Sequence, residues 1–213
     1  DDYDSRLEQE LSTGEPSKLL LYFYQLTSKE AGIFHRWGEE ELKQLPLAQC
    51  RVQAVDLLSE GPAELLSEIV CSGLTHEEAR REAGLAGIES YASRMIDLCV
   101  TNLRPYQEVE GRILELEEFV GVGAGETFAE GVCRGLQKCL DKELNIQQRD
   151  QKLSISRVQL SAVEDERCQF YLQSLTTMQG APLIGLGEEV SCFPVVWVNS
   201  SNGWFRSVDL NIT

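Results

Sequence analysis

Residues 193–210 of the chain read FPVVWVNSSNGWFRSVDL. Two apolar and aromatic runs, 193–198 and 204–210, flank a polar stretch that ends in Asn202-Gly203. Asn-Gly is a strong reversal signal, because both residues tolerate positive φ. This stretch therefore predicts an antiparallel β-hairpin.

The residues before this hairpin also favour β-structure. A polar bridge lies at 147–152, and residues 153–160 then alternate with period two. Residues 168–175 are rich in aromatic and apolar side chains, so they form a second strand candidate. Together with the hairpin, these segments predict an antiparallel sheet of about four strands over residues 148–213.

Residues 16–147 instead show apolar residues at helical spacing. The pattern predicts short helices near 19–26, 54–58, 65–70, 88–99 and 109–120, and a longer one over 127–143. Thr75 and Glu78 have the spacing of a capping box, which starts a short helix that ends near Gly84. An acidic tail or leading helix over residues 1–15 precedes this multi-helix bundle.

The predicted fold class is therefore α+β, with an N-terminal helical domain over 16–147. A C-terminal antiparallel β domain over 148–213 packs on helix 127–143. A long helix followed by four antiparallel strands resembles the cystatin-like and NTF2-like arrangements. That architectural resemblance implies a cavity between sheet and helix that could hold a small apolar ligand.

The net charge of the chain limits the classes of molecule that it is expected to bind. Net charge is −16; five basic and seven acidic residues give −2 on 148–213, which leaves −14 on 1–147. An anionic surface repels phosphate backbones, so the sequence favours a protein partner, including a basic one, over nucleic acid. Acidity that serves only solubility is the alternative. No window has the ~18 apolar residues of a membrane span.

The cysteines indicate a reducing compartment. The chain has seven, an odd number, without C-x-x-C spacing. Five of them, at 50, 71, 99, 133 and 139, lie in apolar patterns typical of helices, where a thiol is usually a small buried hydrophobe. A soluble, cytoplasmic protein is expected. Two N-x-S/T sequons and a first residue other than Met keep a secreted or organellar protein open.

Sequence patterns for catalysis are weak. Residues 74–85 followed by 88–98 resemble a helix-turn-helix, but the second helix offers Arg94 against Glu89 and Asp97, a poor face for DNA. The two histidines, His35 and His76, lie in polar stretches, so no catalytic set and no metal site are predicted.

The glycine run, defined as Gly121, Gly123 and Gly125, is a weak candidate for binding a cofactor. Backbone amides at a helix start can cradle phosphate. However, the positions where a phosphate-binding loop carries Lys and Ser/Thr hold other residues in this chain. Glu126 also adds negative charge where a phosphate would lie. A turn between helices is the favoured interpretation, and no cofactor is predicted.

The favoured function is a non-enzymatic protein-protein interaction module, such as an adaptor, an assembly factor or an inhibitor. Large aromatic residues at a surface are typical binding anchors. The oligomeric state is left open, and a protein that binds a cofactor or a small ligand is the alternative. The candidate partner-binding residues are the hairpin aromatics and two acidic clusters: Trp197, Trp204, Phe205, Glu39, Glu40, Glu41, Glu115, Glu117 and Glu118.

Overall fold

A computed structural model describes residues 17–59, 64–103, 108–109, 112–113, 119–150, 155–159 and 163–208. The chain divides into two compact units, Asp1–Arg104 and Pro105–Thr213. Both units combine helices with an antiparallel sheet, so the α+β class is confirmed.

The first unit is built around a three-stranded sheet, and the predicted N-terminal multi-helix bundle is wrong. Strands β1, β2 and β3 pair in that order, all antiparallel. Residues 48–54 alternate buried and half-buried positions, as a strand with one covered face does. The elements of this unit are α1 (Lys18–Leu26), β1 (Phe34–Gly38), β2 (Ala48–Ala54), β3 (Ile69–Gly73) and α2 (His76–Leu103).

Aromatic rings and small residues form the core of this unit. The Phe23 ring of α1 packs against Phe34 and Trp37 of β1, with centroid separations of 6.1 and 5.9 Å. Gly84 and Gly87 of α2 let that helix approach closely, because a Cβ at either position would lie within 3 Å of a core side chain. Gly84 therefore lets α2 approach the Phe23 ring of α1, and Gly87 lets it approach Val52 and Phe34 of the sheet.

Helix α2 begins as predicted but does not end where predicted. The Glu78 backbone N–H donates to the Thr75 hydroxyl at 3.1 Å, and the Glu78 carboxylate accepts from the Leu74 N–H at 2.9 Å. The helix then continues through Gly84 to Leu103. The corner of the supposed helix-turn-helix is therefore helix interior, where glycine serves packing on Phe23.

The second unit contains a four-stranded antiparallel sheet with the order β6-β7-β8-β9. The helix predicted over 127–143 is confirmed and extends further, and the predicted terminal hairpin is confirmed as β8 and β9. The elements are β4 (Glu108–Val109), β5 (Arg112–Ile113), α3 (Phe128–Asp150), β6 (Ser156–Val158), α4 (Glu166–Gln179), β7 (Leu183–Leu186), β8 (Val195–Ser200) and β9 (Gly203–Val208).

Two element predictions in this unit are wrong. The helical spacing over 109–120 does not make a helix where residues are described, because β4 and β5 pair there and residues 119–125 have no regular structure. The strand candidate at 168–175 is helix α4. Its start is fixed by Asp165, whose carboxylate accepts from the Cys168 N–H at 2.8 Å, and its end by Gly180 at φ 87°.

The order of elements departs from the predicted cystatin-like or NTF2-like arrangement, a long helix followed directly by four strands. Four antiparallel strands follow α3, but helix α4 lies between the first and the second of them.

The cysteines also differ from expectation: Cys50 and Cys71 lie in strands, and Cys133 is exposed. No disulfide links the cysteines whose side chains are described.

Candidate protein-binding surface

The β8–β9 hairpin of the second unit carries the aromatic residues singled out in the sequence. Its strands pair from Val195 opposite Val208 to Ser200 opposite Gly203, and Ser201 and Asn202 make the turn. Gly203 has φ 114°, a left-handed conformation that suits glycine. The Asn-Gly signal therefore fixes both the turn and the register of the hairpin.

Trp197 and Trp204 lie on the same face of the sheet but differ in burial. Trp197 is 3% exposed, whereas Trp204 is 51% exposed. Their rings meet edge to face, with centroids 6.2 Å apart and planes at 76°. The Arg206 guanidinium lies 5.5 Å from the Trp197 ring centroid. Trp197 is thus a core residue in contact with Trp204, and of these two rings Trp204 is the solvent-accessible one.

Helix α3 covers this inner face of the sheet. Leu140 and Leu144 of the helix share one buried cluster with Val195, Trp197 and Val208. The Asn145 side chain also accepts a hydrogen bond from Arg206. The hairpin is therefore held against helix α3 by both apolar packing and a side-chain hydrogen bond.

Phe205 lies on the opposite, outer face of the same sheet and is 55% exposed. The strand register places it opposite Val198, while Leu186 on β7 is also exposed. Among the described strand positions, this face contains only uncharged side chains. We call this side of the sheet the outer face. Its apolar residues are Val158, Ile184, Leu186, Val196, Val198 and Phe205.

Most of the outer face is not evident from the sequence. The alternation in 195–198, with Val195 and Trp197 buried and Val196 and Val198 half-buried, was a readable signal. The contribution of β7 was not readable, because it depends on which strand pairs with β8.

Strand β9 is also an edge. It is the last strand in the sheet order, and among the described residues only β8 pairs with it. One row of backbone N–H and C=O groups along an edge strand is open to another strand. The edge lies between an exposed Trp204 on one face and an exposed Phe205 on the other.

The described acidic candidates, Glu39, Glu40 and Glu41, lie in the first unit. Glu39 belongs to the first unit, where its carboxylate lies 2.9 Å from Arg80 Nε and 3.1 Å from His76 Nδ1. Glu40 is exposed and 3.9 Å from Arg36 Nε, and Glu41 is exposed at φ 63°. The other acidic candidates, Glu115, Glu117 and Glu118, lie outside the described residues.

The glycine run lies against the backbone of α3. A Cβ on Gly121 would lie 2.1 Å from the Gly135 carbonyl oxygen, and one on Gly123 would lie 2.0 Å from that of Gly131. Lys138 Nζ donates to the Val122 carbonyl oxygen at 2.7 Å. Close packing on a helix accounts for Gly121 and Gly123. At Gly125, a Cβ would meet the Glu130 side chain at 2.7 Å.

The positions of the described residues bear on the metal and catalytic expectations from the sequence. Among those residues, no three His, Cys, Asp or Glu side chains gather closely enough to hold a metal ion. His35 lies in β1, and His76 begins α2. Nor does any helix there combine the length and apolarity needed to cross a bilayer.

Comparison with known proteins reveals no relative of this chain. The chain matches no protein-family model, no curated protein sequence and no solved structure. Within the described residues, the hairpin combines two exposed aromatic rings with a strand that pairs on one side only.

Proposed function

We propose that this chain is a non-enzymatic protein-interaction module that binds an extended segment of a partner protein along β9. The observation that carries the proposal is the edge strand itself. It ends the described sheet and exposes half of Trp204 on one face and half of Phe205 on the other.

An added strand would use the two parts of this surface differently. Its backbone would hydrogen-bond to the open edge of β9, which supplies affinity with little dependence on sequence. Its alternate side chains would pack beside Trp204 on the inner face and Phe205 on the outer face, as cross-strand neighbours do. Aromatic anchors on both sides would therefore select apolar residues at successive positions of the segment.

The size of the aromatic contribution can be bounded. An aromatic side chain buries roughly 150–250 Å² in full. Covering the exposed half of each ring at about 25 cal/mol per Å² contributes about 2 kcal/mol per ring. Loss of either ring should therefore weaken binding by more than tenfold, since 1.4 kcal/mol corresponds to about a factor of ten.

Charge favours a basic partner. The net charge of −16 attracts positively charged proteins and speeds their encounter. Glu188 and Glu189, which precede β8, are exposed in the same unit as the hairpin. Basic residues flanking an apolar extended segment are the chemistry that fits this surface.

Site-directed crosslinking tests the proposal. A photoreactive phenylalanine analogue replaces Phe205 in one sample and Phe170 in another, since Phe170 is a similarly exposed ring on α4 of the same unit. Crosslinking is carried out in extracts of the source cells, and the attached protein is identified by mass spectrometry. We expect one product at position 205 that position 170 does not give.

Direct binding then decides the role of β9. With the purified partner, Trp204→Ala and Phe205→Ala should each raise Kd by more than tenfold, while Phe170→Ala changes it less than twofold. Amides of β9 should gain protection from hydrogen exchange in the complex. Equal affinities for all three variants, or unchanged exchange along β9, would show that the partner binds elsewhere.

A further inference from the structure

Two cysteines of the first unit lie directly across from each other. Cys50 of β2 and Cys71 of β3 are register partners in an antiparallel pair. Such partners have Cα atoms about 4.5 or about 5.5 Å apart, depending on the hydrogen-bonding pattern. Both separations fall in the range that a disulfide bridges, roughly 4.4–6.8 Å.

Both side chains point to the same, helix-covered face of the sheet. Ala48, Cys50, Val52 and Ala54 are the buried positions of β2, and the register carries that face onto Cys71. Cys50 is 0% exposed, whereas Cys71 is only half-buried. The two thiols are therefore neighbours, but only Cys71 can be reached from solvent.

The environment of Cys50 keeps it protonated. Burial raises the pKa of the Cys50 thiol to about 12, and the nearby Glu39 carboxylate and Cys71 add to the increase, against the lowering by Arg80. A buried, protonated thiol is a poor first target for an oxidant, because the thiolate is the reactive form. Oxidation should therefore begin at Cys71.

We propose that Cys50 and Cys71 are a redox-active pair that forms a cross-strand disulfide when the protein meets a peroxide. In the first step the Cys71 sulfur attacks hydrogen peroxide, its O–O bond breaks, and Cys71 becomes a sulfenic acid with release of water. In the second step the Cys50 thiol passes its proton to the sulfenic hydroxyl as its sulfur attacks Cys71, so the S–S bond forms while the S–O bond breaks and water leaves. Two thiols and one peroxide give one disulfide and two waters.

The bond would join β2 to β3 across the connection between residues 54 and 69. It would restrict the separation of the two strands in partly unfolded states, which is how a cross-link stabilises a protein. This redox pair lies in the first unit and does not depend on the proposed function of β9.

The test uses the full chain in its native state. The reduced protein is treated with hydrogen peroxide, remaining thiols are alkylated after unfolding, and peptides are identified by mass spectrometry. We expect a linked Cys50–Cys71 peptide, lighter by two hydrogen atoms than its parts, that dithiothreitol separates. The oxidised protein should melt at a higher temperature than the reduced protein.

Variants give the controls. Cys71→Ser should abolish the linked peptide, whereas Cys139→Ser, a partly buried thiol of α3, should leave it unchanged. In Cys50→Ala, a sulfenic acid should accumulate at Cys71 and be trapped by dimedone, which tests the first step without relying on the other variant. Recovery of Cys50 as an alkylated thiol beside a sulfinic Cys71, or a link from Cys71 to another cysteine, would overturn the proposal.

Discussion

Gly123 and Gly131 bring two backbones together: a Cβ on Gly123 would lie 2.0 Å from the Gly131 carbonyl oxygen. The oxygen belongs to the backbone of α3 and cannot move aside as a side chain can. Gly123→Ala should therefore lower the free energy of unfolding by about 1–3 kcal/mol, the usual cost of overpacking. Urea denaturation followed by hydrogen exchange in α3 measures this loss.

Gly131→Ala is the matched control for that substitution. Its Cβ would lie 3.3 Å from the Gly123 carbonyl oxygen, a contact that a shift of a few tenths of an ångström relieves. Alanine also favours the helix over glycine by roughly 1 kcal/mol. Equal losses for the two variants would show that the glycine run does not pack on α3 as described.

Substitutions of the two hairpin tryptophans should differ in their effect on the stability of the protein. Trp197→Ala empties a buried site under α3 and should cost about 3–5 kcal/mol. Trp204→Ala removes a ring that is half in solvent, so its effect on stability should be under about 1 kcal/mol. Thermal unfolding of both variants measures the difference. A large loss for Trp204→Ala would mean that the ring is structural and would weaken the case for a binding anchor.

The cap of helix α2 makes a third prediction. Thr75→Ala removes the acceptor for the Glu78 N–H and should cost about 1 kcal/mol, whereas Thr75→Ser keeps the hydroxyl and should recover most of it. Denaturant midpoints of the two variants provide the comparison. If serine fails to recover stability, the threonine methyl group and not the cap is responsible.

Acid should weaken the first unit through Asp56. The Arg94 side chain, which hydrogen-bonds to this carboxylate, and the Leu58 N–H hold the pKa of Asp56 below its ordinary value. A depressed folded-state pKa gives stability that is present above the unfolded-state pKa, near 4, and is lost as pH falls through the folded-state value. Asp56→Asn should therefore lower the melting temperature at pH 7 and flatten its decrease below about pH 4.

Glu188→Gln, at an exposed position of the other unit, is the control for Asp56→Asn. Glu188→Gln should leave the melting temperature of the first unit, and the dependence of that temperature on pH, unchanged. If Asp56→Asn retains the full decrease below about pH 4, then other carboxylates determine acid unfolding.

The sequence predicted the second unit better than the first, for reasons visible at particular residues. Asn202-Gly203 specifies the hairpin turn of the second unit locally. In the first unit, Thr75 and Glu78 specify the start of helix α2 locally, so both features are readable from the sequence. Ala54 was ambiguous: it continues the alternation of 48–54 and also begins an apolar group at helical spacing with Leu57 and Leu58. Only the pairing of this segment with β1 and β3 decides between a strand and a helix, and that pairing involves residues distant in the sequence.

Other misassignments have the same origin. Gly84 looked like a helix end because glycine disfavours helix interiors, but contact with Phe23 in α1 outweighs that preference. Residues 168–175 looked like a strand by composition, although Asp165 and Gly180 marked the two ends of a helix. Of the candidate site, the sequence places Trp204 and Phe205 on opposite faces of the hairpin. Their exposure, the burial of Trp197 and the aliphatic part of the outer face depend on the strand order and on the helix that covers one face.

The edge-to-face contact of Trp197 with Trp204 also gives the protein an intrinsic optical reporter. Indole transitions on rings this close and this steeply crossed couple with each other, which produces paired bands of opposite sign in the circular dichroism spectrum. One ring of the pair is fixed in the core and the other borders the open edge of β9. A docked strand that turns the outer indole would change the couplet, and the spectrum would then register occupancy of the edge without any attached label.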